Sequence, residues 1–165
     1  MKKLIIVLAC LTVSQFVLAQ AKSVYFEIGG PGVASFNFDT RFTKSEKGIG
    51  GRAGFGGFSL SYNDFNGGRD RTTAVFIPVG INYLFGNDDR NYFELGAGVT
   101  PVIYKDDFSA NDNDGAFTAT FGHATFGYRL QPKKSGFTFR AAITPIFGRF
   151  GFIPYYAGIS FGYKF

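Results

Sequence analysis

The clearest pattern along the chain is a strict alternation of apolar and polar side chains over residues 33–43. Ala34, Phe36, Phe38, Thr40 and Phe42 share one face; Ser35, Asn37, Asp39, Arg41 and Thr43 share the other. A period of two marks a β-strand with two chemically different faces. The same period recurs along the chain. In 23–29, Val24, Phe26 and Ile28 oppose Ser23, Tyr25, Glu27 and Gly29. In the glycine-laden 49–61, Arg52, Gly54 and Gly56 oppose Ala53 and Phe55, and Gly56-Gly57 is expected to hold a register-shifting bulge. In 72–85, Val75, Ile77, Val79, Ile81 and Tyr83 oppose Phe76, Pro78, Gly80 and Asn82. In 91–104, Phe93, Leu95, Ala97, Val99 and Ile103 oppose Glu94, Gly96, Gly98 and Thr100. The second half of 116–130 sets Ala124, Phe126, Tyr128 and Leu130 against His123, Thr125, Gly127 and Arg129, and its first half phases the other way. In 137–147, Phe137, Phe139, Ala141 and Ile143 oppose Thr138, Arg140, Ala142 and Thr144. In 156–165, Ile159, Phe161, Tyr163 and Phe165 oppose Gly158, Ser160, Gly162 and Lys164.

These segments predict eight strands, separated by polar or glycine-rich turns. An even number places both chain ends on one side. The short turns 44–48, 86–90 and 131–136 then share that side. The long polar loops 62–71 and 105–115 lie opposite, together with the short turn 29–32. Short turns beside the termini and longer loops opposite are the arrangement of outer-membrane barrels.

The faces decide which kind of barrel this is. A soluble barrel hides its apolar face and shows its polar one. Here the polar face is rich in glycine (29, 54, 80, 96, 98, 127, 158 and 162), and the apolar face carries Phe, Ile, Val and Tyr on nearly every strand. Glycine has no evident use on an outer strand surface, but a small barrel has a crowded interior. The large apolar residues would overfill that interior, and they suit a lipid-facing band. Lipid demands that every backbone group be paired, which a closed barrel achieves. The expected fold is therefore all-β: an eight-stranded antiparallel transmembrane β-barrel. The composition agrees, with Gly 23, Phe 22 and Tyr 9 and no Trp.

The N-terminus reads as a cleavable export signal: basic Lys2-Lys3, an apolar run from Leu4 to Ala19, then Ala19-Gln20-Ala21. Cleavage is expected after Ala19 or Ala21, dividing the chain into a signal peptide (1–21) and the barrel (22–165). A spanning anchor helix needs a longer run than this one, which Thr12, Ser14 and Gln15 also weaken. The sole cysteine, Cys10, lies inside the run; Val7-Leu8-Ala9-Cys10 only faintly matches a lipoprotein cleavage box, with too few apolar residues before it. Without the leader, 15 basic and 12 acidic residues remain, scattered singly, so nothing points to a nucleic-acid partner.

With the apolar face toward lipid, the lumen collects Glu27, Asp39, Arg41, Arg52, Glu94, Arg129, Arg140 and Lys164. Buried charges must be paired. An ion-pair network that plugs the barrel and fixes strand register is expected, with a gate or polar conduit as the alternative. Lys164 is expected to find its partner in Glu27 or Glu94.

VYFEIGGPGVASFNFDTRF (24–42), FIPVGINYLFG (76–86), FELGAGVTPVIY (93–104), GYRLQPKKSGFTFRAAITPIF (127–147) and GFIPYYAGISFGYKF (151–165) together resemble the small outer-membrane β-barrel proteins of Gram-negative bacteria, the OmpA/OmpX-like class. The resemblance spans nearly all of 22–165. It implies the cell outer membrane as location, outer-membrane lipid as surroundings, and insertion by the barrel-assembly machinery. The ending Phe161, Tyr163 and Phe165 is similar to the sorting signal that this machinery reads. The class is functionally mixed and says little about activity.

Chemistry finds few candidates. Lipid A deacylases and acyltransferases exist on such barrels, and a hydrolase would be built around His123, the single histidine. Thr125 shares its face, but the sixth strand contains no serine. Metal binding would fall to Asp106, Asp107, Asp112 and Asp114, whose spacing misses the calcium-loop pattern because Ala110 and Phe121 stand where oxygen ligands belong. The expectation is a monomer without cofactor or metal, with a structural or surface-interaction role through loops 62–71 and 105–115. The alternatives are a narrow passage for small or apolar solutes and a lipid-modifying enzyme.

Overall fold

The computed structural model describes residues 21–63, 69–106 and 119–165. Residues 1–20, where an export signal is expected, and residues 64–68 and 107–118 of the far-end connections lie outside these. The described strands are β1 (Lys22–Gly29), β2 (Ala34–Arg41), β3 (Gly48–Asn63), β4 (Arg69–Phe76), β5 (Val79–Phe85), β6 (Asn91–Asp106), β7 (Ala119–Leu130), β8 (Gly136–Ile143), β9 (Ile146–Gly148), β10 (Gly151–Ile153) and β11 (Ala157–Lys164).

These eleven strands make eight walls, because prolines interrupt the ladders without ending them. β4 and β5 form one wall: both pair with β3 and β6 in unbroken register across Ile77-Pro78. Proline has no N–H to donate. The ladder there is carried by the Ile77 amide donating to Pro101 O (3.0 Å) and the Gly54 amide donating to Pro78 O (2.8 Å). β8 and β9 form another wall across Pro145, whose carbonyl accepts from the Ala124 amide at 3.0 Å. β10 and β11 form the last wall. All pairings are antiparallel, and β1 pairs with β11, Phe26 opposite Phe161, which closes the barrel.

Two sequence expectations are corrected. β3 runs straight through Gly56-Gly57 in constant register with β4 and β5, so no bulge shifts it. Those glycines serve close approach: a Cβ on Gly56 would meet Ser35 and the Ala34 carbonyl. β7 keeps one phase over its whole length, with Phe121, His123, Thr125 and Arg129 all buried. Its first half misled because Phe121 is an aromatic that faces inward.

The outward faces carry the large apolar residues, exposed around the whole circumference; Phe36 is 72% exposed, Phe55 62% and Phe137 58%. The inward faces carry the charges, from Arg41 at 0% to Arg52 at 7%. The chain is thus inside-out relative to a water-soluble barrel.

Candidate functional site: a charged lumen beneath an apolar cup

The lumen is layered. Its middle is ionic. Arg41 Nη2 donates to Asp39 Oδ1 at 2.7 Å, and Arg129 Nη2 donates to the same oxygen at 3.0 Å. Arg140 grips Glu94 with two donors, its Nε lying 3.0 Å from Oε2, and Arg129 Nη1 stands 3.7 Å from the same carboxylate. Arg52 pairs with Glu27, which also accepts from Ser160 Oγ at 3.3 Å. Asn82 joins two of these centres, its amide donating to Asp39 Oδ2 at 2.5 Å and to Glu94 Oε1 at 3.0 Å, while its carbonyl oxygen accepts from Arg41. The guanidinium carbons of Arg140 and Arg52 lie 4.3 and 5.7 Å from the ring centroid of buried Tyr25, at cation–π range.

Seven of the eight charges singled out in the sequence (Glu27, Asp39, Arg41, Arg52, Glu94, Arg129 and Arg140) meet in this layer. The eighth does not. Lys164 Nζ lies 2.5 Å from Glu46 Oε2 in the β2–β3 turn and donates to the carbonyls of Pro132 (2.8 Å) and Lys133 (2.9 Å). The expected pairing with Glu27 or Glu94 is therefore replaced. Lys164 sits opposite Ser23 and Gly136 at the end of the barrel nearest the termini, out of reach of the mid-lumen carboxylates that Arg52 and Arg140 occupy. Glu46 also accepts from Gln131 Nε2 at 2.8 Å, so these three residues floor that mouth. Sequence pattern alone missed Glu46, because it stands in a turn and has no strand phase. It missed Asn82 because a neutral amide does not announce an ionic role.

Just outside that mouth, the turns are tied together. Asp89 pairs with Lys47 (3.1 Å) and Lys133 (3.2 Å), and hydrogen bonds from both lysines hold its carboxyl below the usual range. Asp88 accepts from the Asn91 side chain and from the Asn91 and Arg90 amides (2.7 and 3.1 Å), which depresses its pKa to about 2.

The far end differs in kind. After β1 the chain folds into a 3-10 turn, Gly30–Gly32, that is buried rather than displayed. The turn needs left-handed backbone at Gly29 (φ 75) and Gly30 (φ 65), where glycine carries no steric penalty. A Cβ on Gly30 would press on the Glu27 carboxylate, so the turn lies directly over the ionic layer. Above it, Ala74, Phe76, Val102, Phe121 and Ile146 form an apolar cluster with Val33 and Tyr156 packed against it. Phe76 and Phe121 are 6.4 Å apart edge to face, and Phe58 lies 6.0 Å from Phe76. On β3 and β4 the sidedness reverses at this height. Inside stand Phe58 and Ala74; outside, Ser59 and Thr73 share a hydrogen bond of 3.0 Å, and Arg71 Nε donates to Ser59 at 3.0 Å.

His123 lies between the two layers, 2% exposed, with Nδ1 3.2 Å from Thr100 Oγ1. That places it in a hydrogen-bonded lumenal position beside a threonine hydroxyl. Among the described residues, no group of three His, Cys, Asp or Glu side chains is placed to hold a metal. The acidic loop Asp107–Asp114 lies outside the described residues, and only the backbone of Asp106 falls within them.

The fold defines a class: the closed, eight-stranded antiparallel barrel. Among solved structures, the chain is similar to the Yersinia pestis outer membrane protein Ail in a phospholipid bilayer nanodisc, at 12% identity over 90% of this chain and 100% of that one, with a TM-score of 0.50. Ail of Yersinia pestis in complex with the heparin analogue sucrose octasulfate matches at 14% identity, covering 88% and 97%, with a TM-score of 0.44. The N-terminal β-barrel domain of Pseudomonas aeruginosa OprF matches at 14% identity, covering 88% and 96%, with a TM-score of 0.48. At such identity the Ail nanodisc structure speaks for the shared barrel fold alone. No family model matches the chain, and no curated protein matches it.

Proposed function

We propose that the protein is an integral barrel of the outer membrane whose polar lumen is sealed, and that it serves the envelope structurally or through its far-end surface rather than by catalysis. The observation that carries this reading is the inside-out distribution of side chains. Outward aromatics such as Phe36 and Phe55 form a continuous apolar belt, while four arginines are buried within. In water such a belt would be an aggregation surface far larger than soluble monomers tolerate. In lipid it lowers the free energy of every residue in it. A barrel is also one of the few folds able to satisfy all its backbone groups there.

The layers support the seal. Lys164, Glu46 and Gln131 floor one mouth, the Asp39–Glu94 network fills the middle, and the buried turn Gly30–Gly32 covers it. An ion would have to displace a guanidinium–carboxylate pair to pass. The export signal at 1–21, with cleavage after Ala19 or Ala21, is part of this proposal, as is recognition of the Phe161, Tyr163 and Phe165 ending by the barrel-assembly machinery. Loops 62–71 and 105–115 remain the proposed contact surface, though their cores lie outside the described residues.

Purified protein incorporated into planar bilayers tests the seal. Wild type is expected to show no steady single-channel current, and Arg140→Ala with Glu94→Ala together to admit one. Steady wild-type currents would overturn the sealed-lumen reading. Migration on gels tests the membrane barrel itself: unboiled protein should run ahead of boiled protein after extraction from membranes.

A further inference from the structure

Among the described residues, the far end of the barrel is open on one side, and what lies behind the opening is apolar. β2 accompanies β3 only as far as Ser35 opposite Gly56. Beyond that, residues 57–63 of β3 pair with β4 alone among the described strands. On the other flank β10 pairs with β9 alone among the described strands. Between these two free strand edges, the β1–β2 connection is short and turned into the lumen. The wall therefore has a notch, with Val33 and the turn Gly30–Gly32 as its sill.

The sill continues the outer apolar belt inward. Ile28 and Phe36, exposed on the outer surface directly below the notch, lead to Val33, and Val33 leads to the cluster of Phe76, Phe121 and Ile146. Facing into the cup, Phe58 is 39% exposed and Ile153 45%. Leu60, which shares the inward phase of Phe58 by alternation, is 60% exposed. Those residues are not filling the cup; they present apolar surface to it. Approach from outside is a different matter on the β3–β4 wall, where Ser59, Thr73 and Arg71 make the outer surface polar. Below the apolar cluster stand the buried turn and the ionic layer. Exposed cations stand near both flanks: Arg71 on β4, whose Nε reaches across to Ser59 on β3, and Arg149 in the β9–β10 hairpin.

We infer that the cup binds the chain of a long-chain anionic amphiphile, a fatty-acid-like carboxylate dissolved in the surrounding lipid, which enters by the notch with its carboxylate toward Arg71 and Arg149. The inference rests on the membrane-barrel reading. It assigns a ligand class to the far end that neither the sealed lumen nor the loops supply. The apolar path accounts for the chain. The two exposed arginines account for the preference for an acid.

The test uses the full barrel in phosphatidylcholine nanodiscs and a diazirine-bearing palmitic acid, with adducts located by mass spectrometry after illumination. Adducts are expected on Phe58, Leu60, Phe76 or Tyr156. The double variant Phe58→Gln with Leu60→Gln should lower labelling of the cup several-fold while leaving labelling of Phe36 unchanged. The matching alcohol should label the cup less than the acid, and Arg71→Ala with Arg149→Ala should erase that difference. Adducts confined to Phe36, Phe38 and Ile159 would overturn the inference, as would equal cup labelling in wild type and the Gln variant. Equal labelling by acid and alcohol in wild type would overturn the anionic preference. A gel of the same samples separates the two levels: loss of the fast unboiled band defeats the membrane reading, whereas a folded barrel labelled only on its belt defeats the cup alone. Cross-linked dimers in place of lipid adducts would assign the notch to a second copy of the chain and reject the amphiphile.

Discussion

Lys164 on the closing strand holds Glu46 of the β2–β3 turn at 2.5 Å, so the last wall of the barrel is fastened to a turn two walls away, across the mouth of the lumen. The Lys164 side chain is 4% exposed, and its other contacts are two backbone carbonyls. Removing the carboxylate leaves a buried ammonium short of its anion. Glu46→Ala should therefore cost about 1–3 kcal/mol, and Glu46→Gln, whose amide oxygen still accepts, should cost less. Urea titration of the bilayer-reconstituted barrel, read by the unboiled gel band, measures both. Identical midpoints for Glu46→Ala and wild type would mean that the floor adds no stability.

Arg140 and Glu94 make the most closely fitted pair in the lumen, bonded twice, with the Arg140 guanidinium against the Tyr25 ring. Breaking a buried pair from one side strands the other charge, at about 3–5 kcal/mol. Arg140→Ala and Glu94→Ala should each fall near that range. The double variant should cost clearly less than their sum, because neither charge is left alone. Glu94 also faces Arg129 and Asn82, so its single variant should be the worse of the two. Additive urea midpoints across the cycle would show that the pair acts as two independent groups.

How far the sequence disclosed this architecture depends on which force set each position. Alternation alone disclosed eight walls and the inward face of the eight lumenal charges, because burying or exposing a side chain in lipid is costly enough to impose a strict period. Glycines on the inward face were legible for the same reason: a Cβ on Gly162 would strike Tyr25 and the Val24 carbonyl. The cup was not legible. Phe76 and Phe121 are misfits in a pattern that assumed apolar means lipid-facing, and that assumption fails at the far end of β3 and β4, where Ser59, Thr73 and Arg71 stand outside and the inside turns apolar. Partner choice within the lumen was also hidden. Lys164 could be assigned a face by phase, but its depth along the barrel follows from strand tilt and stagger, which no single strand encodes.

Asp88 gives the turn at the termini end a defined acid limit. Its pKa is depressed to about 2 by the Asn91 side chain and the Asn91 and Arg90 amides, against an ordinary 3.8. A group depressed on folding lends stability above its unfolded value and loses it as pH falls through its folded value. The contribution is therefore complete above about pH 4 and gone below about pH 2. Asp88→Asn should flatten the decline of the urea midpoint between pH 4 and pH 2 and leave the neutral-pH slope unchanged. A decline of equal steepness in both proteins would remove Asp88 from the acid response.

Phe165 separates what the finished barrel needs from what its assembly needs. Its backbone amide donates to Lys22 O at 3.0 Å, a bond that any residue at this position makes. Its side chain is 57% exposed on the outer face, level with the end of the closing seam. Truncation to alanine removes lipid-facing surface only, so the midpoint of purified, folded barrel should move by no more than about 0.5 kcal/mol, as surface changes generally do. Within cells the outcome should be different. If the alternate aromatics Phe161, Tyr163 and Phe165 are what the assembly machinery reads, Phe165→Ala should lower the amount of folded barrel in the outer membrane several-fold, with unfolded chain accumulating before insertion. Quantifying the fast-running unboiled band from membrane fractions, beside the urea midpoint of refolded protein, measures the two effects independently. A drop in both would make Phe165 a stability residue, and a drop in neither would leave the aromatic ending without a role in assembly.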